Sequence, residues 1–162
     1  MTAGGSSPSP DPVLGSTRAG APRLAESLAR IGVMLDAQRT ELFRHIPSGM
    51  DLTGWWAAQG FEIDAFEDTP PMPTSWFPWS LGNIRPMSHV FVCNAGPLSL
   101  RPANSARVRD IGMGSALHLP LHNGTDVIGA VCVYWAEERD DWQIEHCQPV
   151  VTIARDALLD LP

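Results

Sequence analysis

The stretch Ser115 to Ala136 reads SALHLPLHNGTDVIGAVCVYWA, and its reading decides the fold. Two runs of strand-forming residues flank Asn123-Gly124, a dipeptide suited to the positive φ angles of a type I′ turn, so the spacing predicts a β-hairpin of Ser115–His122 and Thr125–Ala136. In the second run Val127, Val131, Val133 and Trp135 alternate with Ile128, Ala130, Cys132 and Tyr134. A strand that is apolar on both faces must be covered on both, which places it in the middle layer of three. Pro120 breaks the usual rule against proline in a central strand, and an irregular ladder is expected there.

Working outward, Asp140 with Gln143 three residues on resembles a capping box and opens a helix to about Asp160, kinked by Pro149. Ile144, Cys147, Val151, Ala154, Leu158 and Leu161 make one apolar stripe, and Val150, Ile153 and Ala157 make a second. One stripe suits the chain's own sheet and the other a partner chain. On the N-terminal side, Leu24, Leu28, Ile31 and Leu35 predict a helix from Pro22 to about Asp36. Gln38–Ile46, the turn Pro47-Ser48-Gly49 and Asp51–Ala58 read as a second hairpin. Gly60–Ser75, with three prolines, reads as an irregular crossover. A short helix over Trp76–Ile84, a strand over Ser88–Cys93 and a helical segment over Pro102–Ile111 complete the elements. Residues 1–21, rich in Gly, Ser and Pro, read as a disordered leader before a single domain over residues 22–162.

The 162 residues carry a net charge of −7, with 11 arginines and no lysine, which argues against binding to phosphate backbones. No apolar run approaches the roughly 20 residues of a membrane-spanning helix. The N-terminal residues lack a basic start and apolar segment, so a cytoplasmic location is expected. Cys93, Cys132 and Cys147 have no metal-ligand spacing and read as reduced thiols.

From Phe77 to Leu158 the order of pieces resembles the GAF domain family: FPW before a short helix, a strand, an arginine-bearing segment leading into IGMGSALHLPL, a turn, then VIGAVCVYWAEERDDW and a final helix. The resemblance implies an α+β sandwich with a central antiparallel sheet of five or six strands. Terminal helices would cover one face, and loops and short helices would enclose a ligand pocket on the other. It also implies a sensory or regulatory module, not an enzyme, that binds a small molecule or forms a homodimer through its terminal helices, along the Leu24–Leu35 and Ile144–Leu161 stripes, and signals to an output partner.

The ligand-binding candidates follow. Trp76, Phe77 and Trp79 supply aromatic surface beside the pocket. Arg107 offers forked hydrogen bonds to an anion. His118 points away from the face of Leu117, Leu119 and Leu121, and His89 and Phe91 lie on the neighbouring strand. His118 and His122 share a strand face by alternation but lie about 13 Å apart, too far to chelate one metal. No metal site is expected. Some family members hold haem through a histidine, but no pattern here selects it, and the cofactor is left unknown. The bilin-attachment context and the cyclic-nucleotide Asn-Lys-Phe-Asp signature are absent. Two alternatives stand beside this reading: a free methionine-(R)-sulfoxide reductase-like thiol enzyme using Cys93, and a ligand-free structural interaction module. Glu137, Glu138, Asp140 and Asp141 read as helix-end and surface charge.

Overall fold

The computed structural model describes residues 13–15, 22–61, 70–74, 90–93, 112–139 and 144–162. Four longer strands carry the described side chains: β2 (Arg39–Ile46), β3 (Gly49–Ala57), β5 (Ser115–Asn123) and β6 (Asp126–Trp135). They lie side by side in the order β3-β2-β6-β5, every pair antiparallel. Two short backbone segments pair at the edges, β1 (Val13–Gly15) on β3 and β4 (Val90–Cys93) on β5. The rest of the leader, most of the crossover and the segments read as helices over Trp76–Ile84 and Pro102–Ile111 lie outside the described residues.

Helices α1 (Pro22–Met34) and α2 (Cys147–Leu159) pack on each other and on the sheet. Their Leu24, Leu28, Ile31, Val150, Ala154 and Leu158 form one core with Leu42, Trp56, Leu117, Leu119, Leu121, Val131, Val133 and Trp135. Two polar atoms in this layer are satisfied by α1 and the residue after it: the Thr40 hydroxyl donates to the Leu28 carbonyl at 3.0 Å, and the Trp135 indole to that of Leu35 at 3.0 Å. The alternate residues, Phe43, Met50, Leu52, Met72, Met113, Ala116, Ala130, Cys132 and Tyr134, make a second core on the far face. The middle-layer position of β6 is thus realised, with apolar side chains buried to either side.

Three local readings change. The hairpin turn falls one residue later than Asn123-Gly124, because Asn123 pairs with Asp126 and the central residues are Gly124 and Thr125. Only Gly124 has positive φ (64°), at the first central position, as a type II′ turn requires. A register shift between Leu121 and His122 follows. It leaves Ile128 of β6 as the extra residue, and His122 lines a small cavity with Pro120, Cys147, Val151 and Arg155. Pro149 does not kink α2, because the α-helix begins at Cys147 after a 3₁₀ turn over Ile144–His146. Proline in a first turn gives up only an amide that has no intrahelical partner. Finally, the stripes Leu24–Leu35 and Ile144–Leu161, read as a homodimer seam, bury Leu24, Leu28, Ile31, Ala154 and Leu158 in the chain's own core, together with Val150 and Ala157 of the second stripe, because α1 lies alongside α2.

Pro120 has a simple accommodation. The pairing of β4 with β5 ends at His118, so among the described residues Pro120 has a strand neighbour only on the β6 side, through Ala130. Among those residues its position is that of an edge residue, where a missing amide is tolerated.

The end of α2 is tied to β2. Arg44 donates from Nη1 to the Pro162 carbonyl at 3.1 Å and, more weakly, from Nη2 to those of Leu161 (3.4 Å) and Leu158 (3.5 Å). A cation at a helix C-terminus also complements the helix dipole. Arg44→Ala should cost about 1 kcal/mol. Hydrogen exchange is the check, with faster exchange at Asp160 and Leu161 before any change in the sheet.

Candidate functional site

The far face of the sheet carries polar and ionic side chains in its interior. Register places Trp55, Glu41, Cys132 and His118 in one transverse row on β3, β2, β6 and β5, and Ala57, Arg39, Tyr134 and Ala116 in the next. Neighbours within a row are about 4.8 Å apart along the hydrogen-bonding direction. Arg39, Glu41 and Tyr134 are 0% exposed, and His118 is 5% exposed.

These groups are organised around Glu41. Its Oε1 accepts a hydrogen bond from Arg39 Nε at 2.9 Å, and its Oε2 accepts one from the Tyr134 hydroxyl at 2.9 Å. Both carboxylate oxygens are therefore engaged, as a charge buried away from water requires. The Arg39 guanidinium lies 5.0 Å from the centre of the Trp55 ring, within cation–π range. On the other side of Tyr134, its ring meets that of His118 edge-on at 6.0 Å and 85°. His118 Nδ1 is 3.1 Å from Cys132 Sγ. The result is a continuous polar band, Trp55–Arg39–Glu41–Tyr134–His118–Cys132, set in an apolar surround.

Chemically, the band is charge-balanced between Arg39 and Glu41. Glu41 would have to give up a hydrogen bond before acting as a base, whereas His118 and Cys132 are a base and a nucleophile already in contact. Among the described residues no group of three His, Cys, Asp or Glu side chains is placed to hold a metal ion.

Of the expected ligand-binding residues, His118 stands in this band. Trp76, Phe77, Trp79, His89 and Arg107 lie outside the described residues. Phe91 is placed by its backbone, which pairs with Leu117. Glu137 and Glu138 are exposed, and the nearby Ser115 hydroxyl donates to the Glu137 carbonyl and accepts from the Arg139 amide. Sequence reasoning missed Arg39, Glu41 and Trp55. The available signal was a pair of opposite charges two residues apart in a strand, which puts both on one face. On the opposite side of the molecule, α1 and α2 flank a groove of about 690 Å³ with a mixed lining that includes Arg23, Glu26, Arg30, Asp156 and Ile153.

No family model and no curated protein matches this chain. Solved structures do match in fold. The photoproduct state of GAF3 from Slr1393 of Synechocystis sp. PCC6803 superposes with a TM-score of 0.67 at 16% identity, covering 84% of this chain and 89% of that one. The GAF domain/HD domain protein from Geobacter sulfurreducens gives 0.66 at 12% identity, covering 88% and 92%. The phycoerythrobilin-bound GAF domain from a cyanobacterial phytochrome gives 0.64 at 12% identity, covering 84% and 88%. The α+β architecture with its antiparallel sheet is that of a GAF domain. Among the described residues no helix is long and apolar enough to cross a membrane.

Proposed function

We propose that this GAF-fold chain is a sensory or regulatory domain that holds a small molecule against the far face of its sheet and relays occupancy through its two helices. The single observation behind this reading is the buried band from Arg39 to Cys132. Packing alone would be served as well by apolar residues, since a buried ion pair stabilises no more than well-packed hydrophobic side chains of the same volume. Polar groups arranged among aromatic and aliphatic ones are what orient a ligand. The two-sided burial of β2 offers a route for the relay: Arg39, Glu41 and Phe43 face the band, while Leu42 and Arg44 of the same strand touch the helix layer and the end of α2.

The proposal includes Trp76, Phe77, Trp79, His89, Phe91 and Arg107 as further pocket residues, a cytoplasmic setting, a signalling output partner and a homodimer through the outer faces of α1 and α2. With Val150 and Ala157 buried in the chain's own core, half-buried Ile153 is left at that surface, in the mixed lining of the outer groove. The thiol-reductase alternative is less well supported. Cys93 pairs with Ser115, whereas Cys132 lies two strands away and three residues along, far beyond the 4.4–6.8 Å between α-carbons that a disulfide spans.

Native mass spectrometry of freshly purified protein, followed by a metabolite thermal-shift panel, tests the reading. The expected result is a dimer mass with a co-purified small molecule, or a panel compound that stabilises by about 2.7 kcal/mol at a hundred times its Kd. A bare monomer whose melting temperature no compound moves would overturn it in favour of a structural interaction module.

A further inference from the structure

All four buried sulfur atoms among the described residues lie on one side of the sheet. Met50, Met72, Met113 and Cys132 belong to the far-face core, whereas the larger helix-side core contains no buried methionine or cysteine. Cys132 is 0% exposed, yet it is not a thiol surrounded only by hydrocarbon, because His118 Nδ1 stands 3.1 Å from its sulfur. His118 is in turn held edge-on by Tyr134, whose hydroxyl is committed to Glu41. A nucleophile, a base within hydrogen-bond reach and a third group orienting the base constitute the arrangement that activates thiols.

We infer that Cys132 and His118 form a reaction centre for a small hydroperoxide admitted to the far-face pocket. The inference rests on that face being a ligand pocket and names the chemical class the pocket receives. His118 Nδ1 takes the Cys132 proton as the sulfur attacks one peroxide oxygen. The S–O bond forms, the O–O bond breaks, and the leaving alkoxide or hydroxide recovers the proton from His118. Cys132 becomes a sulfenic acid, oxidised by two electrons, and the hydroperoxide is reduced to an alcohol or to water. A small oxidant suits the closeness of the site, where Phe43, Met113, Ala116 and Ala130 pack in the same core. The three thioethers are the next groups a further hydroperoxide would oxidise, each losing two electrons to become a sulfoxide as the peroxide is reduced to alcohol or water. Half-buried Cys147, on the helix side, is the internal comparison.

The test uses the whole chain, substoichiometric hydrogen peroxide, dimedone as a sulfenic-acid trap and peptide mass spectrometry. Cys132 should be trapped before Cys147 and Cys93. His118→Gln should slow that trapping by about a hundredfold or more and leave the Cys147 rate unchanged, a hundredfold being the lower end of what a positioned base supplies. If the variant unfolds, the order of reaction in the wild-type chain decides the matter alone. Trapping of Cys147 or Cys93 first, oxidation of Met50, Met72 or Met113 ahead of Cys132, or an unchanged rate in a folded His118→Gln protein each overturns the inference. Repeating the thermal-shift panel on Cys132→Ser separates the two readings. A compound that still stabilises this variant, while wild-type Cys132 resists peroxide, removes the peroxide chemistry and leaves the ligand pocket standing.

Discussion

Glu41→Ala should destabilise the protein by about 3–5 kcal/mol, the range for removing one partner of a buried ion pair. The substitution strands the 0%-exposed Arg39 guanidinium without the carboxylate that accepts its Nε, and it leaves the Tyr134 hydroxyl without the acceptor at 2.9 Å. Two buried donors then lose the Glu41 oxygens at once, which is why the cost exceeds that of a simple cavity of the same size. Glu41→Gln keeps an acceptor oxygen and should cost less, because only the negative charge beside Arg39 is lost. Replacing all three groups together, Arg39→Met, Glu41→Leu and Tyr134→Phe, should recover most of the loss, since an apolar trio carries no desolvation penalty. Urea denaturation with an unchanged m-value is the measurement. A Glu41→Ala protein as stable as wild type would show that water or a mobile group reaches Arg39 and that the band is not dry.

Gly129→Ala should cost about 3 kcal/mol, the upper part of the range for overpacking a well-filled core. A Cβ at this position would meet the carbonyl oxygen of Phe43 on the neighbouring strand and lie 2.6 Å from Leu158 Cδ2. The first obstacle is backbone, fixed by the β2–β6 ladder in which Arg44 pairs with Gly129, so it cannot rotate away. The second is a side chain, so the double variant Gly129→Ala, Leu158→Ala separates them. It should stay well below wild type, because shortening Leu158 relieves only the flexible neighbour and adds its own loss of buried hydrocarbon. Thermal or urea unfolding of the two single variants and the double gives the coupling directly. Near-neutral behaviour of Gly129→Ala would mean that β2 and β6 separate more easily than their pairing implies.

The hairpins and the two helices were legible because each is written in local chemistry: four-and-three spacing in Leu24 to Leu35, alternation in Val127 to Trp135, and a glycine where the chain reverses. What escaped depended on register. A two-residue turn at Asn123-Gly124 would set His118 opposite Gly129, whereas the turn one residue later and the shift at Leu121/His122 set it opposite Cys132. A three-residue change of register, two from the turn and one from the shift, therefore hid the closest thiol–imidazole contact in the site. Arg39 and Glu41 were hidden differently. Charged residues in strands are mostly solvated, and only β6 laid alongside β2, bringing Tyr134 next to Arg39, supplies a reason for their burial. The width of the apolar arc on α2 was likewise misjudged because one helix's sequence does not reveal that another lies beside it.

The one-sided distribution of sulfur has a spectroscopic consequence. The methyl groups of Met50, Met72 and Met113 sit only in the layer that would greet an arriving guest, whereas those of Val131, Val133 and Val150 sit only in the layer beneath the helices. Assigned methyl resonances of these six residues therefore report on the two layers separately without any engineered probe. Resonances of one kind would register entry, those of the other would register whether the disturbance crosses the sheet, and the delay between the two would time its passage.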